Sequence, residues 1–391
     1  MARICMLLNN FEPPYGGPEL QATKITLQLQ SHGHEVIFMV KGSGKAAVFE
    51  TVNGIEVYRL NRQGLGSVEA MYRLWQLRDR FDIIHVHGVG RLASVAVSFG
   101  RRYNKRVIIK VTTAGHIVKP LTKGWHSIVR RISPFSKRKV QLLQQAEAMI
   151  AISDEITAEL QHHGFSDKKI ARIPNGVDTV KFCPVGSEEK QQLRQHLRLP
   201  EDKMIFLFTG KITKRKGLDI LIEAWFQAKD VHDKAILVLA GSGLGQSDSL
   251  EEWLTEYLHG EDDGNTIIRV GAVDNVHQYL AAADFFVFPS RREGLPNSLL
   301  EAMSSGLVCI ASAIGGNIDL IIPEKTGILV HEESTGQWSE VIQQCVKQPG
   351  LSLGIAARHF VQEQYSIDVT VAKIEALYNQ CSGYNEERSF K

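Results

Sequence analysis

Short apolar runs alternate with helix-length stretches along most of this chain, and that rhythm leaves few folds open. Ala2–Leu8, His34–Val40, Asp82–His87, Arg106–Val111 and Ala148–Ile152 are each followed by a polar turn and a periodic stretch. Near-continuous apolar strands are buried on both faces, as in a parallel sheet covered by helices. The rhythm stops once, at ARIPNGVDTVKFCPVGSEEK, where a Pro-Asn-Gly turn and a second proline read as a linker. It restarts with Lys203–Gly210, Ala235–Gly241, Thr266–Gly271, Asp284–Ser290, Val308–Ser312 and Gly327–Val330. The predicted architecture is α/β, with two Rossmann-like doubly wound domains in tandem. The expected boundaries are 1–175 and 176–365, with a helix over 366–391 crossing back to the N-terminal domain. Ligands of such sheets bind at the carboxyl ends of the strands, so two facing sheets would enclose a cleft.

Composition narrows the function classes. The 391 residues are 43% hydrophobic and 23% charged, enough for two or three domain cores. A formal charge of only +2 gives no whole-protein case for nucleic acid. The start, MARICMLLNNFEPP, has no signal-peptide layout, and no run reaches the roughly 20 apolar residues of a membrane span. A cytoplasmic location is expected. Cys5, Cys183, Cys309, Cys345 and Cys381 are scattered, without paired or metal-ligand spacing.

The stretch SRREGLPNSLLEAMSSG, Ser290 to Gly306, carries the chemistry. It reads as a loop at a strand's carboxyl end, then a helix starting at Pro296 or Asn297. Free amides near Ser298, Leu299 and Leu300 can bind phosphate oxygens without a metal. Glu293 and Glu301 would flank that phosphate and accept hydrogen bonds from two polyols, as in a nucleoside diphosphate sugar. Glu301 would hold the ribose and Glu293 the transferred sugar. The alternative is a solvated loop charge at Glu293 and a helix-dipole partner at Glu301. KITKRKG is either a second phosphate contact or a solvated basic turn. Gly16 and Gly17 mark a turn into a helix whose amides can approach a diphosphate, or an ordinary strand-to-helix turn. GSGLG, Gly241 to Gly245, lacks the full dinucleotide fingerprint. His85 and His87 read as strand-end structure.

EGLPNSLLEAMSSG resembles the Glu-x7-Glu motif of retaining glycosyltransferases of family 4, the group 1 proteins of GT-B fold. PPYGGPE, TTAGH, IPNGVD and GKITKRKGLDILIEAW agree with that family in order and spacing. The resemblance implies Glu293 as sugar contact, Glu301 as ribose contact and Lys216 as phosphate contact. Lys211 stands where arginine is usual, which keeps the charge but loses the bidentate fork, and Arg215 can assist. His116 matches the family's cleft histidine. Glu293, His116 and Lys216 are the expected catalytic groups, and Gly16, Gly17, Lys211, Gly294, Leu295, Asn297, Leu299 and Glu301 the expected donor-binding set. The family further implies retention, no metal and no cofactor beyond the donor. UDP-glucose is the first donor to test, with a glycan or polyprenyl-linked acceptor of polysaccharide assembly.

Two rivals share the architecture: a nucleotide-sugar 2-epimerase and a non-catalytic nucleotide-sugar-binding protein. Lys119 to Ala146 holds seven Lys or Arg and no acid, interleaved with apolar residues. It is expected either to rest on an anionic inner membrane leaflet, making the protein peripheral there, or to form a solvated basic helix.

Overall fold

The computed structural model describes residues 1–11, 16–42, 47–60, 66–115, 117, 134–260, 266–331 and 333–383. The chain forms two compact units, Met1–Gly176 with Ile367–Lys391, and Val177–Ser366.

The first unit holds strands β1 (Arg3–Leu8), β2 (Glu35–Lys41), β3 (Phe49–Val52), β4 (Ile55–Leu60), β5 (Ile83–His87), β6 (Arg106–Val111), β7 (Ala148–Ala151) and β8 (Ile170–Arg172). They lie in the order β3-β4-β2-β1-β5-β6-β7-β8, and β3 alone runs antiparallel to its neighbour. Helices α1 (Gly17–Ser31), α2 (Gly66–Gln76), α3 (Arg91–Tyr103), α4 (Pro134–Leu143) and α5 (Asp154–His162) connect them. β3, β4 and β8 lie outside the runs read as strands. β3 and β8 are short and never fully buried, so they lack the apolar density that marked the others. The β3–β4 turn does have a local signal: Asn53 and Gly54 take φ of 51° and 78°. That pairing is the hairpin geometry that Asn-Gly favours.

The second unit has β9 (Met204–Thr209), β10 (Ala235–Ala240), β11 (Ile267–Gly271), β12 (Phe285–Phe288), β13 (Val308–Ser312) and β14 (Ile328–Val330). The order is β11-β10-β9-β12-β13-β14, all parallel. Its helices are α6 (Ser187–His196), α7 (Leu218–Gln227), α8 (Glu251–Gly260), α9 (Val276–Ala282), α10 (Asn297–Ser304), α11 (Gly315–Leu320), α12 (Thr335–Lys347) and α13 (Leu351–Tyr365). Connections from β9 go to both sides, so the strand order reverses between β9 and β12. In open α/β sheets that reversal leaves a crevice at the carboxyl ends, where ligands bind.

The last helix, α14 (Ile367–Gly383), belongs to the first unit. Val371, Ile374 and Tyr378 join Ile25 and Leu29 of α1 over Ile4, Met6 and Ile108 of the sheet. Its ends of contact are polar: Gln28 Nε2 donates to Asp368 at 2.7 Å, and Glu375 meets His32 and His34 at 2.9 Å each. Beneath it sits an unusual group for a core. His85, His87 and Lys110 are 0%, 4% and 0% exposed, and His85 Nδ1 pairs with the Tyr378 hydroxyl at 2.6 Å. His87 and Lys110 face each other on β5 and β6, and Lys110 Nζ has no hydrogen-bond partner. His85 and His87 are therefore core histidines at a strand end. Among the described residues no helix is long and apolar enough to cross a membrane.

Candidate active site

The loops that follow β9 and β12 meet at the reversal of strand order. After β9 the chain turns through Lys214–Lys216 and stops at Gly217, whose φ is 70°. A β-carbon there would lie 1.8 Å from the carbonyl oxygen of Pro289, so only glycine lets the basic turn dock on the end of β12. Arg291 N then donates to the Arg215 carbonyl at 2.9 Å, and the Arg291 side chain pairs with Asp219 at 2.6 Å and Glu333 at 2.8 Å. These contacts tie the two loops into one surface.

On that surface Lys216 Nζ lies 2.6 Å from Glu293 Oε1, and their side chains are 13% and 11% exposed. Ser290, fully buried, donates its hydroxyl to the same oxygen at 2.7 Å, and Arg215 Nη1 stands 3.6 Å from it. All three contacts fall on Oε1, which turns Oε2 into the oxygen available to a hydroxyl. The Lys216 ammonium also rides over the Phe288 ring at 4.8 Å. Burial lowers the Lys216 pKa below the usual lysine value, and the Glu293 carboxylate works against that. Ser290 was not anticipated as a site residue; its spacing of three from Glu293 across a tight loop was the available signal.

Lys211 is near enough to act on the Lys216 charge but makes no ion pair with Glu293. Its Nζ donates to Gln246 Oε1 at 3.0 Å on the exposed rim. Gln246 follows the GSGLG turn, whose glycines serve backbone packing: β-carbons at Gly241 and Gly243 would lie 1.7 Å from Gly210 O and 2.2 Å from Ile212 O. Lys214 N and Arg215 N donate to Asp248 at 2.9 Å and 3.1 Å, so this turn holds the basic loop from behind.

Helix α10 begins at Asn297 after Pro296, in extended conformation. Leu300 N is already spent on the Pro296 carbonyl at 3.3 Å. Of the three expected amides, Leu300 is therefore taken, and Ser298 and Leu299 remain among the helix-start donors without an i−4 acceptor. Gly294 and Leu295 are buried, and a β-carbon on Gly316 would meet Gly294 O at 2.1 Å. Leu295 and Leu299 are 4% and 0% exposed, so each can offer a ligand only its backbone. Glu301 sits in the second turn of α10, partly exposed.

In the first unit Gly16 caps α1 with φ −86°, which any residue adopts. A β-carbon on Gly16 would lie 2.6 Å from Glu19 Oε2, a contact that the flexible carboxylate can yield. That carboxylate already complements the α1 N-terminus, where the sequence suggested a diphosphate. Gly17 is the first residue of the helix. His116 and residues 119–133 lie outside the described residues. Their flanks are held: Gly115 N and Ile117 N donate to Glu159 of α5 at 2.7 Å and 3.4 Å. Glu159 thus grips the backbone on both sides of His116, a role that nothing local in the sequence announces. Glu159→Ala is expected to raise local amide exchange at 115–117 and lower turnover, with Glu159→Gln intermediate; unchanged exchange by mass spectrometry would reject the grip.

Comparison with known proteins settles the family. The profile described as glycosyl transferases group 1 matches residues 189–365, and that of glycosyltransferase family 4 matches residues 15–181. The chain is a group 1, family 4 glycosyltransferase. N-acetyl-alpha-D-glucosaminyl L-malate synthase of Bacillus anthracis is 26% identical to this glycosyltransferase over 377 residues, 94% of each chain. UDP-Gal:alpha-D-GlcNAc-diphosphoundecaprenol alpha-1,3-galactosyltransferase of Escherichia coli is 28% identical over 321 residues, 80% of this chain and 78% of that one. Anabaena HepE, solved with UDP, superposes with a TM-score of 0.78 at 18% identity, covering 97% of this chain and all (100%) of that one. This glycosyltransferase has the GT-B fold.

Proposed function

We propose that this glycosyltransferase moves a hexosyl group from a nucleoside diphosphate sugar, UDP-glucose first, to a glycan or lipid-linked acceptor with retention of configuration and without a metal. The observation that carries this reading is the Lys216–Glu293–Ser290 arrangement at the point where the second sheet reverses. Lys216 supplies positive charge for the leaving diphosphate, with Arg215 and Lys211 nearby on the same basic loop and the Ser298 and Leu299 amides at the start of α10. Ser290 and Lys216 hold Glu293 by one oxygen, so the other accepts from sugar hydroxyls. Glu301 accepts from the ribose. The acceptor hydroxyl attacks the anomeric carbon from the face the diphosphate leaves, and a phosphate oxygen takes the acceptor's proton. Supporting the donor class, HepE has been solved with UDP-glucose. Supporting a lipid-linked acceptor, the Escherichia coli relative is named for a diphosphoundecaprenol substrate.

The test is donor selection by calorimetry over several nucleotide sugars, followed by product analysis with and without acceptor. A C2-epimerised sugar formed from donor alone would replace this reading with an epimerase. Two variants separate the glutamates. Glu301→Ala is expected to weaken nucleoside diphosphate binding by roughly 1.5–3 kcal/mol, the worth of charged hydrogen bonds to ribose. Glu293→Gln should leave nucleoside diphosphate binding nearly intact while lowering turnover and sugar discrimination. Calorimetry showing both variants equal to wild type for nucleoside diphosphate and for donor would reject the assignment.

A further inference from the structure

Helix α2 carries a stripe that the first unit leaves in water. Ala70 and Leu74 turn inward and are fully buried, whereas Val68, Tyr72 and Trp75 are 66%, 54% and 43% exposed. Spacings of four and three put these residues on one helix face. The Tyr72 and Trp75 rings stack with centroids 6.2 Å apart, and the Arg78 guanidinium lies 4.8 Å over the Trp75 ring. Tyr72 keeps its hydroxyl satisfied by Gln76 at 2.9 Å. The stripe is therefore ordered and apolar, with polar tips.

Its neighbours are basic. α2 packs beside α3, and α3 beside α4. Arg91, Arg101 and Arg102 on α3, with Lys137 and Arg138 on α4, are exposed. Neither helix contains an acid. Because the whole chain has a formal charge of only +2, this is a local asymmetry rather than a general basic surface. An apolar aromatic stripe beside a cationic pad matches the two layers of an anionic bilayer surface. Tryptophan and tyrosine favour the headgroup level, and arginine and lysine are drawn to anionic lipid.

We propose that these three helices dock on an anionic membrane, with Val68, Tyr72 and Trp75 entering the interfacial layer and the α3–α4 cations holding its headgroups. The proposal deepens the reading of a lipid-linked acceptor and rests on it, since docking would bring the enzyme to an acceptor that never leaves the bilayer. It shares Lys137 and Arg138 with the Lys119–Ala146 stretch and adds the α2 stripe and the α3 arginines. Arg78, stacked on Trp75 and 3.7 Å from the exposed Asp79 carboxylate, ends the stripe.

The experiment is co-sedimentation of the full chain with phosphatidylcholine vesicles, with and without phosphatidylglycerol, over a range of salt. Expected is binding only with the anionic lipid, weakened by salt, and reduced about tenfold or more in Val68→Ser/Tyr72→Ser/Trp75→Ser. Arg101→Glu/Arg102→Glu/Arg138→Glu should remove it. Brominated lipid should quench tryptophan emission of wild type more than of Trp75→Phe. Equal binding to neutral vesicles, an unaffected stripe variant, or concentration-dependent dimerisation lost in that variant without vesicle binding would each overturn the proposal; the last would make the stripe a protein interface. UDP calorimetry on every variant serves as the folding control. Loss of UDP binding by wild type alongside intact vesicle binding would count against the donor reading and leave docking in place.

Discussion

Lys216→Ala is expected to lower turnover by about 10²- to 10³-fold, by analogy with removing one preorganised donor from developing negative charge. The change is larger than for a rim lysine because Lys216 is nearly enclosed and already aimed by Glu293 at 2.6 Å and the Phe288 ring at 4.8 Å. Little reorganisation is left for the moment of reaction. Alanine would also leave Glu293 facing Ser290 at 2.7 Å and Arg215 at 3.6 Å, with its nearest countercharge gone. The pH profile distinguishes a charge role from packing. Burial lowers the Lys216 pKa from 10.5, so the ammonium is lost at a lower pH than in an ordinary lysine. Turnover should fall on the alkaline side below the usual lysine range, and Lys216→Arg should move that limb upward while retaining part of the rate. Activity should persist in excess chelator. Chelator-abolished turnover restored by magnesium or manganese would sink the metal-free reading, and wild-type rates in Lys216→Ala would remove Lys216 from the mechanism.

Lys110→Met is expected to stabilise the first unit, against the usual direction of a core substitution. Lys110 is fully buried with its ammonium unpartnered, and burial pushes its pKa down to about 7 from 10.5. His85 and His87, its titratable neighbours on β5, are held neutral by burial as well, His85 with a pKa of about 3. Tyr378 from α14 stays protonated, its pKa pushed up by burial. No carboxylate contributes to the shift at Lys110. The sign follows from proton counts. Between about pH 7 and 10.5 the unfolded chain binds a proton at Lys110 that the native chain does not, so stability rises with pH through that window. Below about 7 both states are protonated and the penalty is complete. At about 1.4 kcal/mol per pH unit the full penalty has an upper bound of about 5 kcal/mol. Methionine, similar in length and apolar, should recover several kcal/mol at pH 6 and flatten the slope above 7. Denaturant unfolding at pH 6, 8 and 10 reads both, and a wild-type profile flat from 7 to 10 would reject the assignment. The histidines act at the acid end: stability should fall as pH drops below their unfolded value near 6.5, because the unfolded chain then binds protons they refuse.

The order of buried strands was legible in the amino-acid sequence because apolar density and turn residues are local signals. Each run from Ile4 to Val330 that is apolar on both faces became a parallel strand. β3 and β8 escaped because half-exposed short strands carry little such density, and β4 because its buried residues alternate with Glu56 and Tyr58, although Asn53-Gly54 announced the hairpin. The glutamate spacing, the Gly217 stop and the helix start at Asn297 were also local, and so was the likeness to the family. Tertiary structure alone decided which charges meet. Lys216 and Glu293 are 77 positions apart, and Gly115 and Glu159 are 44 apart. Chain periodicity has no bearing on pairs that exist only because the sheet reverses at β9 and β12, or because α5 reaches the loop after β6. The same reason explains Gly241. Its glycine was visible in the sequence, but the Gly210 carbonyl that a β-carbon would strike is set against it only once the two strand ends lie side by side.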